Sequence, residues 1–294
     1  MAKARAILKR IGAVKNIAKI TNTMQMIATA RFKRSFDRAV AARPYTDRLT
    51  RLIEDLTAAA DDYTHPLLEA REAKRVAVLA IASNRGLCGG YNSHVTRALR
   101  ALHKELTERG VEIELHVAGR KLIGALRFQG VEMASALSHI DDKVSLEEVD
   151  EIAMPLIERF QSGELDELRV VYTKFLSAAS QQAVAEQVLP LVREAATAED
   201  AGEGKTPADR QTIFSPDPET ILGDLLPRSV RLHLFQAFLD AAVSEQTARR
   251  VAMKVATDNA HDVIVELTRT YNRSRQAQIT TELSEIMGGA AALE

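Results

Sequence analysis

From Arg228 to Glu294 the sequence contains no proline, and the only glycines there are Gly288 and Gly289. A run of that length without a breaker predicts one continuous helix. At about 1.5 Å per residue, roughly 60 helical residues span about 90 Å. That exceeds the diameter of any domain that a chain of 294 residues builds alone. Such a helix must lean on something outside its own globule, so the chain reads as a shaft rather than a self-contained enzyme.

The opposite end is helical as well. Ile7, Ile11, Val14, Ile17, Ile20, Met24 and Ile27 recur at three- and four-residue spacing and predict one apolar stripe. The first proline, Pro44, either kinks this helix or starts a second one running to about Ala60. A C-terminal stripe runs through Ala248, Val251, Val255, Val263, Leu267 and Tyr271. Neither stripe can be buried alone. The simplest burial pairs the two helices as an antiparallel coiled coil, with alanines letting the backbones approach. Aromatics are only 4% and Trp is absent, which favours helices packed along seams.

Between the helices the period changes. Residues 61–74 are charged and read as a linker. Val76–Ala82 is a continuous apolar run suited to a strand buried on both faces. A helix over about 93–109, a strand over 111–117 and a short helix over 119–128 follow. Ser145 stands three residues before Glu148, a capping box that opens a helix to about Gln161. Strands over 168–175 and 183–191 complete the pattern, and 194–211 reads as a mobile surface loop. Asp217 and Pro218 are suited to the cap and first position of the last helix, with a possible break at Pro227. The fold class is therefore α/β: long antiparallel N- and C-terminal helices forming a coiled coil, with an inserted open α/β (Rossmann-like) domain. The expected domains are a helix over 1–60, the α/β domain over 74–215 and a helix over 216–294.

Composition excludes several classes. The net charge of −1 gives no global basic balance for nucleic acid, although 1–43 holds eleven Lys or Arg and one acid, Asp37. That basic helix reads as a solvated face or as a positive shaft facing acidic partner loops. A single cysteine, Cys88, rules out an internal disulfide. No run of 18 apolar residues predicts a membrane span. The basic, acid-poor start resembles a transit peptide, but its pattern runs past residue 40 into regular helix. The seven histidines are scattered and form no ligand spacing, so no metal is expected.

The segment Ser83–Asn92, SNRGLCGGYN, follows the first strand and precedes a helix. A glycine-rich turn there can cradle phosphate, but the G-x-G-x-x-G and G-K-[ST] spacings are absent. A structural turn is the plainer reading. Cys88 lacks a His partner set nearby and reads as a small buried thiol.

Three segments together carry a family resemblance: IGAVKNIAKITNTMQMIATARFKR (11–34), SNRGLCGGYN (83–92), and the long stretch from Ser244 to Leu293. The chain resembles the gamma subunits of F-type ATP synthases. The resemblance implies a non-catalytic central-stalk rotor that couples ion flow, expected to be of protons, to ATP synthesis or hydrolysis and regulates the ATPase. It implies alpha and beta subunits as a surrounding hexamer, with an epsilon subunit and a membrane c-ring as further partners. It implies no cofactor, no nucleic acid, and membrane association only through the complex. The expected place is the cytoplasmic face of a bacterial inner membrane, with the mitochondrial matrix side as alternative.

By the same resemblance Met24 lies near the moving lever of the beta subunit. Arg275 and Gln276 grip a beta loop, and Arg249 and Thr280 lie in segments linked to coupling. Ile286, Met287 and Leu293 belong to a tip that turns in an apolar sleeve. Arg85, Gly86, Leu87, Cys88, Gly89 and Gly90 form a structural turn of the lower domain. Asn84 stands where the family usually carries Asp, and Thr23 and Thr29 replace small residues beside Met24. The rivals are a small-molecule enzyme built on the α/β domain with a helical dimerisation arm, and a nucleic-acid binder using the basic N-terminus.

Overall fold

A computed structural model describes residues 2–59, 65–141, 143–191 and 217–291. Two long helices, α1 (Ala2–Ala59) and α5 (Pro218–Ala291), flank the α/β elements. These are β1 (Arg75–Ile81), α2 (Tyr91–Glu108), β2 (Glu112–Ala118), α3 (Arg120–Phe128), β3 (Ser135–Leu137), α4 (Leu146–Gln161), β4 (Glu167–Phe175) and β5 (Gln181–Leu189). The expected loop at 194–211 and the start of the expected linker lie outside the described residues. The chain divides into two compact units, Met1–Ala30 with Arg249–Glu294, and Arg31–Ala248.

In the larger unit the strands are ordered β3-β2-β1-β4-β5, parallel except for β5. β1 is paired on both sides and buried from Val76 to Ile81, as its unbroken apolar run requires. Successive side chains take opposite faces. Ala77, Leu79 and Ile81 join Val149, Ala153, Leu156 and Phe160 of α4 and Leu226, Val230 and Leu234 of α5 in one core. Val76, Val78 and Ala80 join Val95, Leu99 and Leu106 of α2 and Leu122 and Leu126 of α3 in the other. The sheet is thus sandwiched between helical layers.

Caps fall where the side chains specify them. Ser145 Oγ accepts from Glu148 N at 3.2 Å while Glu148 Oε2 accepts from Ser145 N at 2.8 Å, so the capping box closes. The Asp217 carboxylate accepts from Thr220 N at 3.0 Å and starts α5. The prolines do not break the helices. α1 runs through Pro44 and α5 runs through Pro227. An interior proline costs about 3 kcal/mol. Around Pro227 the buried Leu222, Leu226, Val230 and Leu234 each contribute roughly 1.5–3 kcal/mol by burial, which outweighs that cost. Leu49 and Leu56 beyond Pro44, and Ala39 before it, are buried likewise. β3 escaped the sequence reading because three residues at a sheet edge carry no measurable period. β5 starts earlier than expected and stops at Leu189, because Pro190 has no N–H to continue a ladder.

Candidate functional site

In the smaller unit the N-terminal half of α1 packs antiparallel on the C-terminal half of α5. Buried and half-buried positions on α1 include Ala4, Ile7, Ile11, Val14, Ala18, Thr21, Gln25 and Ala28. On α5 they include Arg250, Met253, Thr257, Ala260, Ile264, Leu267, Tyr271, Ser274 and Gln278. These rows alternate steps of three and four, the signature of a heptad seam, and half-buried Met24 on α1 and Arg249, Ala252 and Ala256 on α5 stand beside them. At its centre the Thr21 and Thr257 hydroxyls lie 2.7 Å apart.

This corrects the expected stripes. On α1 the prediction holds at Ile7, Ile11 and Val14 and then departs, since Ile17, Ile20 and Ile27 are 51%, 59% and 51% exposed. Consecutive three-residue steps rotate an apolar row around the helix by about 60° each, so it leaves the seam. Ala18, Thr21 and Ala28 occupy the seam in its place. On α5 Val251, Val255 and Val263 are exposed, and Met253, Thr257 and Ala260 are buried. A large β-branched residue draws the eye in a sequence, while close-packed helices prefer small residues at the contact.

The departure leaves α1 with a second row. Ala13, Ile17, Ile20, Met24 and Ile27 follow spacings of four, three, four and three, and all but half-buried Met24 are exposed. At the other end, the antiparallel run puts Ala4 level with Ser274, because each step back from Thr21 matches a step forward from Thr257. Past Gln278 the described residues of α5 carry no cover. Every described residue from Ile279 to Gly288 is exposed, with Ile286 at 71% and Met287 at 68%. Of the other expected contacts, Arg249 is half-buried. Arg275, Gln276 and Thr280 are exposed, and Thr280 Oγ1 donates to the Gln276 carbonyl at 3.0 Å. Leu293 lies outside the described residues.

The 85–90 turn belongs to the larger unit. Ser83 Oγ donates to the Arg85 carbonyl at 2.8 Å, and Asn92 Nδ2 donates to Ser83 Oγ at 2.7 Å. Ser83 N donates to Asn92 Oδ1 at 3.1 Å. Cys88 is buried, with its Sγ 3.3 Å from Asn92 Nδ2. The polar groups thus satisfy one another. Leu87 takes a positive φ of 65° and is exposed at the tip of the turn.

Open sheets of this order place ligands where the connections diverge, here at the carboxyl ends of β1 and β4. In this chain α5 lies against a small crevice at the neighbouring ends of β1 and β2. Phe238, Ala241 and Ala242 line it against Ile81 and Ala118, and the buried Tyr91 hydroxyl donates to the Ala241 carbonyl at 3.2 Å. Gly119 lets the backbones cross, because a Cβ there would stand 2.3 Å from the Ala82 carbonyl oxygen. Sequence reasoning missed Thr21, Thr257 and the residues around this crevice. A threonine at the same heptad position in both helices was the available signal for the first pair.

Comparison with known proteins agrees with this architecture. A family model described as ATP synthase matches residues 3–293. The ATP synthase gamma chain of Rhodopirellula baltica is 44% identical over 100% of both chains, and that of Leptospira biflexa is 42% identical over 100% of both. Among solved structures, a chain of the Euglena gracilis mitochondrial ATP synthase rotor superposes with a TM-score of 0.63 at 22% identity. It covers 95% of this chain and 99% of its own length. At that identity the superposition speaks for the fold alone, while the curated relatives and the family model carry the assignment: the chain belongs to the ATP synthase gamma chain family.

Proposed function

We propose that this chain is the central-stalk rotor subunit of an ATP synthase and itself carries out no catalysis. Ion flow through the membrane sector turns a c-ring and this chain with it. The coiled coil then drives the catalytic sites of a surrounding alpha–beta hexamer through different shapes. A single asymmetric chain inside a ring of repeated subunits gives each site a different set of contacts, which is the condition for shifting their conformations differentially. In this reading the ion is a proton, an epsilon subunit docks beside the α/β domain, and the complex sits on the cytoplasmic face of a bacterial inner membrane. No helix among the described residues is long and apolar enough to cross a membrane.

The observation that carries the proposal is the apolar row left open on α1 together with the exposed stretch of α5 from Ile279 to Gly288. A row of aliphatic side chains on a long helix calls for a partner surface. Met24 sits within that row and is assigned to the lever of the beta subunit. Arg275 and Gln276 are assigned to the grip on a beta loop, and Arg249 and Thr280 to coupling. Ile279, Leu283, Ile286 and Met287 supply an apolar tip for an apolar sleeve. The eleven basic residues over 1–43 favour acidic partner loops. The enzyme alternative is not favoured, since the relatives that match over the full chain are ATP synthase gamma chains.

Co-purification with alpha and beta partners, with MgATP hydrolysis assayed with and without the chain, tests this. One copy per hexamer and chain-dependent turnover are expected. A chain that stays apart, or that binds nucleotide alone, overturns the proposal.

A further inference from the structure

The carboxyl end of β4 holds both long helices. Ser244 of α5 is fully buried, and its Oγ donates to the Thr173 carbonyl at 3.1 Å. Elsewhere on α5, Thr247, Thr257, Thr268, Thr270, Thr280 and Thr281 bond back to the carbonyl four residues earlier. That is the ordinary habit of a helical hydroxyl. Ser244 crosses to the sheet instead. One turn earlier, the buried Asp240 carboxylate accepts from Gln236 Nε2 at 2.9 Å. Arg43 of α1 reaches the same place, with Nη2 3.8 Å from Asp240 Oδ1 and 3.5 Å from the Phe175 carbonyl oxygen. The Phe175 ring lies 6.2 Å from that of Phe32 and 5.9 Å from that of Phe36, both on α1. From the other side of the crevice Tyr91 holds the Ala241 carbonyl.

We propose that Tyr91, Asp240 and Ser244 are positioning residues that clamp α5, and through Arg43 also α1, to the end of β4, so that torque applied to the α/β domain turns the helices without slip. The inference rests on the rotor reading above. The Tyr91 and Ser244 ties end on backbone carbonyls, so they fix elements rather than mobile side chains, and Arg43 meets both the Asp240 carboxylate and the Phe175 carbonyl. The ties fall within little more than one turn of α5 and pull toward different elements: α2, β4 and α1. Burial pushes the Asp240 carboxyl pKa up, so keeping a carboxylate there works against stability. The Ala241 carbonyl already serves as an acceptor within the helix, so losing the Tyr91 hydroxyl leaves no orphaned oxygen. Folding and torque transfer are therefore separable by mutation.

The test uses the complete ATP synthase in lipid vesicles, reading hydrolysis without a gradient, ions pumped per ATP against a rising gradient, and thermal stability of the complex. For the Tyr91→Phe/Ser244→Ala double variant, hydrolysis without load should stay within about two-fold of the parent, since the sites themselves are untouched. Ions pumped per ATP should fall at least two-fold as the opposing gradient grows. Asp240→Asn keeps an acceptor for Gln236 Nε2 and for Arg43 and should pump near the parent level, whereas Asp240→Leu should not. A double variant that pumps normally under load, whether or not its stability falls, overturns the clamp. Failure of the parent chain to support pumping at all refutes the rotor reading instead.

Discussion

Asn84 shows how much one side-chain atom can decide. Its Oδ1 accepts from Arg120 N at 3.0 Å, while its Nδ2 donates to the Ile140 carbonyl. The two bonds tie the start of α3 and the loop before α4 to the end of β1. An aspartate offers only acceptors when ionised. Asn84→Asp should therefore set a carboxylate oxygen against a carbonyl and cost about 1–3 kcal/mol. Denaturant unfolding of the full chain reads this directly, and a variant as stable as its parent would show that the donor is dispensable. Nothing in the structure explains why Thr23 and Thr29 stand where small residues are usual; their hydroxyls bond back to Lys19 and Gln25 carbonyls.

At the scale of elements, the seam between α1 and α5 combines aliphatic, small and polar positions. The Thr21–Thr257 pair is a hydrogen bond between partly buried groups, and each hydroxyl also reaches a carbonyl of its own helix, Thr21 those of Ile17 and Ala18 and Thr257 that of Met253. Thr21→Val and Thr257→Val should each destabilise modestly, and the double variant should cost less than the sum of the two. The resulting coupling energy is expected at about 0.5–1.5 kcal/mol. Strict additivity of the single changes would mean that the hydroxyls do not interact. The open row of α1 predicts the opposite behaviour. Met24→Lys adds a charge to a half-buried position within that row, so assembly should survive while coupling suffers. If ions pumped per ATP hydrolysed stay normal in membranes carrying Met24→Lys, the assignment of Met24 to the beta lever fails.

The whole molecule has a pH dependence with a defined sign. Glu186 is held down to about 2 by His233 Nε2, 3.5 Å away, and by Lys174 and Tyr172, against an opposing effect of burial. Tyr172 Oη lies 2.7 Å and Lys174 Nζ 2.9 Å from its oxygens. A depressed carboxyl contributes stability that is present above its ordinary value of 4.5 and lost as pH falls toward about 2. His116 is lowered from 6.5 chiefly by burial, with Glu114 opposing, so its contribution begins to fade once pH drops below 6.5. Asp240, with a raised pKa, works the other way and partly offsets the acid loss. Thermal midpoints of the full chain should therefore be level between neutrality and about pH 9, fall at higher pH because Tyr172 is raised from 10.0 by burial, decline below about pH 6.5 and drop most steeply below about pH 4.5. Glu186→Gln should flatten the acid limb, and an unchanged limb would remove Glu186 as its cause.

The sequence by itself determined the long helices, the buried central strand, the capped starts at Ser145 and Asp217, and the family. Each follows from local chemistry: absent breakers, an unbroken apolar run, a side chain that reaches its own backbone. Tertiary structure decided which face of each helix is buried. Ile17, Ile20, Val251 and Val255 look like core, yet Ala18, Thr21, Met253 and Thr257 take the contact, because backbone approach depends on the partner's shape as well as on hydrophobicity. It also decided that the helices continue through Pro44 and Pro227, since the outweighing burial comes from distant elements. The ties of Tyr91, Asp240 and Ser244 to the end of β4 and the crevice were illegible for the same reason. They join residues tens to hundreds of positions apart, and no local pattern in a single chain records such a meeting.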